Sequence, residues 1–211
     1  MGARDRLAAG LARQLGHPSG LPGLLVGALL NRSNARPVAA AVRALRLAPG
    51  EEVTDIGYGG GAGLRLLLDA VGPAGRVHGV ELSTTMSEQA HKRFWKALAA
   101  GRLRLHHGSI TALPLDDDSV DALITINTVY FVADLDRAFA ELARVLRASG
   151  RLVVGIGDPD AMAGMPFTEH GFRLRPVAEL VDALTAAGLP LREHLRVGQG
   201  PRAFHLLVAA H

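Results

Sequence analysis

Hydrophobic positions along the 211-residue chain follow two alternating spacings. Short apolar runs bounded by turn residues are typical of buried strands, and they occur at residues 53–56, 76–81, 103–108 and 121–127. Apolar side chains three or four residues apart predict helices at residues 4–15, 38–47, 64–71, 83–99 and 176–188, with another beginning after Asp134. Two last runs, at 189–197 and 202–209, predict a closing hairpin. Strands that alternate with helices indicate an α/β fold around a parallel sheet.

Composition limits the domain count and the class of partner. A mass of 22.2 kDa suits one α/β domain, and the absence of cysteine excludes disulfides and thiolate chemistry. The formal net charge is only +3, without a long basic run, so no nucleic-acid partner is expected. The longest apolar stretch, residues 21–30, is too short to span a bilayer, which predicts a cytoplasmic protein without a membrane partner. Whether the chain forms a homodimer stays open.

Residues 53–63, VTDIGYGGGAG, hold the strongest chemical signal. An extended run breaks into glycines and passes directly into a helix, which is the backbone geometry that lets a nucleotide-like ligand approach N–H groups. The spacing also fits the weak dinucleotide fingerprint. However, Asp55 puts a carboxylate at the mouth of the turn, and a carboxylate repels a pyrophosphate but attracts a sulfonium or ammonium group. The charge therefore favours S-adenosylmethionine over a dinucleotide.

Residues 55–61, DIGYGGG, resemble the first motif of class I S-adenosylmethionine-dependent methyltransferases, and later stretches resemble further motifs over residues 50–158. The resemblance implies a Rossmann-like, mostly parallel sheet of seven strands in the order 3-2-1-4-5-7-6, with the last strand antiparallel and helices on both faces. It also implies S-adenosyl-L-methionine as cofactor and S-adenosyl-L-homocysteine as product. We expect residues 1–48 to form a helical cap or lid and residues 49–211 to form the methyltransferase domain.

Several side chains follow strand ends and are predicted to hold the cofactor. Glu81 ends the second strand, 20 residues beyond Gly61, where an acid can accept hydrogen bonds from ribose hydroxyls. The family usually has Asp at the position of Ser109, so a weaker hydroxyl acceptor faces the adenine here and more weight falls on packing by Ile110. The predicted cofactor-binding residues are Asp55, Gly57, Tyr58, Gly59, Gly61, Glu81, Leu82, Ser109, Ile110 and Asn127.

The methyl acceptor is expected along the irregular segment 158–171, which offers apolar Met162, Met165 and Phe167 for a pocket wall. A hydroxyl or amine acceptor benefits from a base, and the candidates are His170 first, then His17 and Tyr130. Neighbouring histidines at 106–107 alternate across a strand, and no set of residues has metal-ligand spacing, so no metal is predicted.

These observations favour a methyltransferase that acts by in-line transfer on a small-molecule acceptor, such as a specialised metabolite. A second hypothesis keeps the cofactor site but assigns the protein a non-methylating step such as cyclisation. A third, a nicotinamide-dependent dehydrogenase, is disfavoured by Asp55, by the terminal hairpin and by the lack of a Tyr-x-x-x-Lys pair.

Overall fold

The computed structural model describes residues 2–16, 18–20, 23, 34–200 and 203–211. His17, one of the predicted bases, therefore lies outside the described residues. The helices are α1 (Ala3–Gly16), α2 (Ala35–Ala44), α3 (Ala62–Val71), α4 (Thr84–Arg93), α5 (Trp95–Ala99), α6 (Leu135–Val145), α7 (Pro159–Ala163) and α8 (Val177–Ala186). The strands are β1 (Glu52–Ile56), β2 (Arg76–Glu81), β3 (Leu103–His107), β4 (Val120–Ile126), β5 (Leu146–Gly157), β6 (Leu191–Val197) and β7 (Phe204–Ala210). Short 3-10 turns occupy Val129–Phe131 and Pro166–Glu169.

Within the described part of the chain the seven strands form one sheet in the order β3-β2-β1-β4-β5-β7-β6. Strands β1 to β5 pair in parallel, while β7 pairs antiparallel with both β5 and β6. The predicted strand order and the reversed last strand are confirmed. This reversed strand also separates the fold from a dinucleotide-binding sheet.

The strand order creates a crevice at the centre of the sheet. After β1 the chain builds outward through β2 and β3, and then returns to place β4 on the other side of β1. Ligands of open α/β sheets bind outside the carboxyl ends of the strands at such a reversal. The residues that follow β1, β2, β4 and β5 are therefore the ones positioned to form a site.

Two hydrophobic layers cover the sheet. One face packs against α6 and α8 through residues that include Phe139, Leu142 and Leu184. The other packs against α2, α3 and α4 through residues that include Leu64 and Leu67. Because β1 and β4 lie buried between these layers, the side chains at their carboxyl ends start from a rigid base.

The predicted helix at 83–99 is divided into α4 and α5 at Phe94, whose backbone leaves helical geometry. The cause is tertiary packing, because the buried Phe94 ring lies against the glycine turn at Gly61. Ser83 caps α4 by accepting a hydrogen bond from the N–H of Met86 at 3.2 Å.

Helix α1 packs against the 3-10 turn Pro166–Glu169, above the carboxyl edge of the sheet. Gly16 at its end lies so close to Phe131 that a Cβ at position 16 would stand 2.8 Å from the ring. None of the helices among the described residues has the length and apolar character needed to cross a membrane.

Candidate active site

The glycine turn links β1 to α3 with backbone angles that suit glycine. Gly57, Gly59 and Gly61 all have positive φ values, of 72°, 48° and 77°. A Cβ on Gly57 would overlap the hydroxyl of Thr128, which follows β4. The turn therefore reaches its position beside β4 only because these residues lack side chains.

Asp55 ends β1 with its carboxyl group buried beneath this turn. Only 4% of the residue is exposed. Burial, followed by the nearby negative charge of Glu81, raises the pKa of Asp55 to about 8, although a hydrogen bond from the Leu64 backbone opposes the rise. A Cβ on Gly63 would overlap Oδ2 of Asp55, so the start of α3 lies directly against the acid. The protein thus keeps an acid where ionisation is costly without a cation.

Glu81 ends β2 and is held by the backbone. Its Oε2 accepts a hydrogen bond from the Gly59 N–H at 2.9 Å, and its Oε1 accepts one each from Leu82 and Ser83 at 2.9 Å. A carboxylate offers about four acceptor positions, so these three bonds leave about one for a ligand hydroxyl. Asp55 and Glu81 line the same cavity, as the sequence predicted.

The cavity has a volume of about 1160 Å³. This exceeds the roughly 300–1,000 Å³ of most small-molecule sites, so it can hold a cofactor and a small acceptor together. Nine of the ten predicted cofactor-binding residues lie along its wall: Asp55, Gly57, Tyr58, Gly59, Glu81, Leu82, Ser109, Ile110 and Asn127. The tenth, Gly61, does not line the cavity, although its neighbours Gly60 and Ala62 do.

These residues differ in what they present to the cavity. The Tyr58 ring is buried in the core against Gly79, so Tyr58 contributes its backbone, and not its side chain, to the turn. Ser109 bonds to Thr111, with 2.9 Å between the two hydroxyl oxygens, and Ile110 beside it is buried. Asn127 follows β4 in a left-handed conformation, with φ at 59°, which turns the chain across the cavity mouth.

An aromatic cluster forms the far end of the cavity. The chain has one Trp, two Tyr and six Phe, and four of these rings meet here. Their centroid distances are 4.7 Å for Phe131–Phe172, 5.5 Å for Phe167–Phe172 and 5.7 Å for Tyr130–Phe172. Together with Met162 and Met165 on the same wall, the rings make this end apolar, which suits an organic acceptor.

Tyr130 lines the cavity, but its hydroxyl is already engaged. The hydroxyl accepts a hydrogen bond from the Gly157 N–H at 2.6 Å and lies 3.4 Å from the Gly157 carbonyl. Burial raises the pKa of Tyr130 above its ordinary value. The predicted role of a base is therefore disfavoured, because the hydroxyl is harder to ionise and points at the backbone.

His170 is directed away from the cavity. Its Nε2 lies 3.2 Å from Oδ1 of Asp5 on α1, and the residue is absent from the cavity wall. The sequence could not predict this pairing, because Asp5 on α1 is distant from His170 in the chain. As a base it does not reach the site in this structure.

Sequence reasoning missed Asp158, which follows β5 and lines the cavity beside Gly157. A similar signal to that of Asp55 and Glu81, an acid at the carboxyl end of an apolar run, was available for it. Elsewhere, among the residues that the structure describes, no group of three His, Asp or Glu residues is arranged to hold a metal ion.

Comparisons with known proteins agree with this geometry. Residues 54–154 match a family model described as a methyltransferase domain. A 37.1 kDa protein from a transposon of Streptomyces fradiae is 44% identical over 135 residues, which cover 60% of this chain and 38% of that protein. Arsenite methyltransferase of Halobacterium salinarum is 33% identical over 123 residues, which cover 58% of this chain and 30% of that enzyme.

The chain therefore spans well under half the length of these two relatives. Among solved structures, an S-adenosylmethionine-dependent methyltransferase from Aquifex aeolicus superposes with a TM-score of 0.72 at 20% identity, over 95% of this chain and 97% of that one. The sheet order, the glycine turn with its two acids and the matched domain agree. The chain is therefore similar to the class I S-adenosylmethionine-dependent methyltransferases in its matched domain, which covers just under half of its length, and it has the fold of such an enzyme.

Proposed function

We propose that this protein transfers a methyl group from S-adenosylmethionine to a small-molecule acceptor that lies at the aromatic end of the cavity. The observation that best supports this proposal is the pair of acids at the glycine turn, Asp55 and Glu81. Asp55 is buried and protonated up to about pH 8, and Glu81 adds negative charge beside it. A cationic nucleoside satisfies both, because its positive charge offsets the burial of Asp55 and its ribose can donate to Glu81.

The turn and the two acids would hold the cofactor. Unlike charges a few ångströms apart in a partly shielded site gain on the order of 1–4 kcal/mol, which favours a sulfonium compound over its neutral relatives. When bound, S-adenosylmethionine supplies an electrophilic methyl group on sulfur. The residues of the chain then have to align the acceptor with that methyl group and exclude water, and such alignment is worth roughly 7–11 kcal/mol.

The acceptor class follows from the opposite wall. The cluster of Tyr130, Phe131, Phe167 and Phe172 offers stacking and apolar contact, while Asp158 supplies one polar group beside it. This combination suits an organic molecule with an apolar body and a single hydrogen-bond donor. The similar arsenite methyltransferase also acts, by its name, on a small acceptor.

Helix α1 supports a lid role for residues 1–48. Leu15, Gly16 and Pro18 lie along the cavity wall, and Gly16 touches Phe131. Residues 49–211 would then form the catalytic domain beneath it. The lid proposal rests on α1 and its contacts alone.

Calorimetric titration with S-adenosylmethionine tests the cofactor half of the proposal. We expect the wild-type protein to bind, and Asp55→Asn and Glu81→Gln each to weaken binding by about tenfold, or roughly 1.4 kcal/mol. Asp69→Asn on the exposed face of α3 is the matched control and should bind like the wild type. A wild-type protein that does not bind S-adenosylmethionine would sink the proposal.

A non-methylating reaction such as cyclisation remains the second candidate function, because neither of the described predicted bases, His170 and Tyr130, is placed to take a proton. Product analysis distinguishes the two functions. S-adenosylhomocysteine formed in proportion to a methylated acceptor supports transfer. Turnover that leaves S-adenosylmethionine intact supports the alternative.

A further inference from the structure

Asp158 is a charged residue on the cavity wall that the proposed cofactor site does not use. It follows β5 directly, and its neighbours on the wall are Gly157 and Met162. Its backbone N–H donates to the Ala203 carbonyl at 3.0 Å, so β5 and the start of β7 fix the residue from both sides. The backbone of Asp158 is thus held at a defined place on the wall, next to Gly157, which is hydrogen-bonded to Tyr130 of the aromatic cluster.

The side chain of Asp158 is oriented by three partners. Oδ1 accepts a hydrogen bond from the Ala161 N–H at 3.1 Å, which caps α7. Oδ2 lies 3.1 Å from the guanidinium of Arg196 and 3.3 Å from Nε2 of His205. These hydrogen bonds, with the backbone bond first, hold the pKa of Asp158 below its ordinary value. The group therefore stays ionised at neutral pH.

One acceptor position on this carboxylate remains for a ligand. A carboxylate offers about four positions, and the described residues occupy three of them. Because an ionised carboxylate only accepts hydrogen bonds, His205 must carry its hydrogen on Nε2. The other ring nitrogen of His205 lies 2.8 Å from Nε2 of His194, which fixes the plane of the His205 ring.

Resting on the proposed methyl transfer, we propose that Asp158 accepts the proton of a hydroxyl acceptor carried on an aromatic body, and that His205 is its positioning residue. An amine is disfavoured because a carboxylate pairs with the ammonium form, which has no lone pair to donate. A hydroxyl stays neutral and can donate its hydrogen to Asp158.

In the step itself, the hydroxyl oxygen forms a bond to the methyl carbon while the carbon–sulfur bond breaks and its electron pair goes to sulfur. The O–H bond breaks as well, its electron pair stays on oxygen, and the proton passes to Asp158. The products are a neutral methyl ether, a neutral thioether and a protonated carboxyl group, so charge and atoms balance. Although Asp158 is a weak base, the oxygen becomes oxonium-like as the methyl group arrives, and its proton is then far more acidic than a carboxylic acid.

Two acceptors with the same ring system test the assignment, namely 2-naphthol and naphthalene-2-thiol. A phenol ionises near pH 10, whereas a thiol ionises more readily and needs less help. We expect Asp158→Asn to lower the methylation rate of 2-naphthol by about 100-fold, as is usual for loss of a proton acceptor, and that of the thiol by less than about threefold. We expect His205→Gln to lower the 2-naphthol rate by about tenfold and to spare the thiol.

Asn caps helices as well as Asp does, so Asp158→Asn keeps the α7 cap but replaces the Oδ2 acceptor, which faces Arg196 and His205, with an uncharged amide donor. Asp160→Asn, exposed on the first turn of α7, is the matched control and should leave both rates unchanged. A binding readout accompanies the rates: naphthol fluorescence in the presence of S-adenosylhomocysteine should report weaker binding of 2-naphthol to Asp158→Asn than to Asp160→Asn.

Equal losses with both acceptors would overturn the proposal, since they would indicate a structural role. So would an unchanged 2-naphthol rate, or a protein that binds S-adenosylmethionine but neither binds nor methylates 2-naphthol. Calorimetry separates this failure from failure of the proposed function, because S-adenosylmethionine should bind Asp158→Asn with wild-type affinity.

Discussion

Gly63 lies directly against the carboxyl group of Asp55, and a Cβ at residue 63 would overlap Oδ2. The same Cβ would stand 3.1 Å from Cδ1 of Ile124 in the core, so the neighbours on both sides are rigid. The first turn of α3 can therefore approach the acid only if residue 63 is glycine. This contact joins the backbone of the helix to the charge that would bind the cofactor.

Gly63→Ala should destabilise the protein and weaken S-adenosylmethionine binding together. Overpacking of a buried position costs about 1–3 kcal/mol, and here the displaced atom belongs to the carboxyl group that we propose binds the cofactor. Urea denaturation and calorimetry measure the two effects. Gly10→Ala on α1, where a Cβ would meet no atom within 4 Å, is the control and should be neutral or slightly stabilising. An unchanged affinity in Gly63→Ala would contradict the predicted coupling.

Asp55 should make stability depend on pH. The native acid keeps its proton up to about pH 8, whereas the unfolded acid loses it near its ordinary value of 3.8. Between these values the native state holds more protons, so the free energy of unfolding falls as pH rises. Asn cannot titrate, so its free energy of unfolding lacks this pH dependence. From about pH 5 to about pH 9, the free energy of unfolding of Asp55→Asn should rise by at least about 1 kcal/mol relative to that of the wild type. Urea denaturation at both pH values checks this, and parallel behaviour of the two proteins would contradict the prediction.

Binding of S-adenosylmethionine near pH 7 should release nearly one proton per bound ligand. Without ligand Asp55 is mostly protonated at this pH, and an adjacent cation favours its ionised form. Calorimetry in buffers with different ionisation enthalpies measures the released proton. The Asp55→Asn variant should release none, while Asp69→Asn should match the wild type. Release that persists in Asp55→Asn would assign the proton to another group.

Tyr130→Phe should lower stability without changing the pH profile of methyl transfer. The hydroxyl accepts the Gly157 N–H at 2.6 Å, and its loss leaves a buried donor without that partner, which costs about 1–3 kcal/mol. Thermal denaturation and the pH dependence of kcat/KM test the two parts. A profile in which kcat/KM no longer rises with pH in Tyr130→Phe would instead restore Tyr130 as a base.

Gly16→Val should test the lid role of α1. A side chain at this position meets the Phe131 ring at 2.8 Å and pushes the end of the helix away from the acceptor wall. We expect the KM for 2-naphthol to rise about tenfold, or by roughly 1.4 kcal/mol, with S-adenosylmethionine affinity unchanged. Gly10→Val on the same helix, where no atom lies within 4 Å of the added Cβ, controls for the loss of helix propensity. Equal effects of the two variants would count against a lid.

The sheet and the cofactor wall were predictable because their signals are local. Asp55 and Glu81 each lie at the carboxyl end of a buried strand, and parallel strands bring these ends to one edge of the sheet. The glycine turn was equally predictable, since Gly57, Gly59 and Gly61 have positive φ values, which glycine adopts more readily than other residues. The cofactor-binding roles themselves stay predictions.

The acceptor end was harder because its contacts join distant parts of the chain. Phe131 and Phe172 meet through tertiary packing, and His170 pairs with Asp5 on α1, which is distant in the sequence. The proposed role of Asp158 depends on its contact with His205 on β7, and the spacing of hydrophobic residues cannot predict how β7 aligns with β5. The break between α4 and α5 at Phe94 also involves a contact between distant residues, since the Phe94 ring packs against Gly61.

The two acids at the turn have a consequence for the survival of the protein as well as for its chemistry. A ligand that relieves the burial of Asp55 binds only the folded chain, so each occupied molecule resists unfolding more than an empty one. Proteases cut chains while they are open, and resistance to limited digestion should therefore rise with the concentration of the cationic nucleoside. The lifetime of the folded protein would then follow the supply of its proposed cofactor.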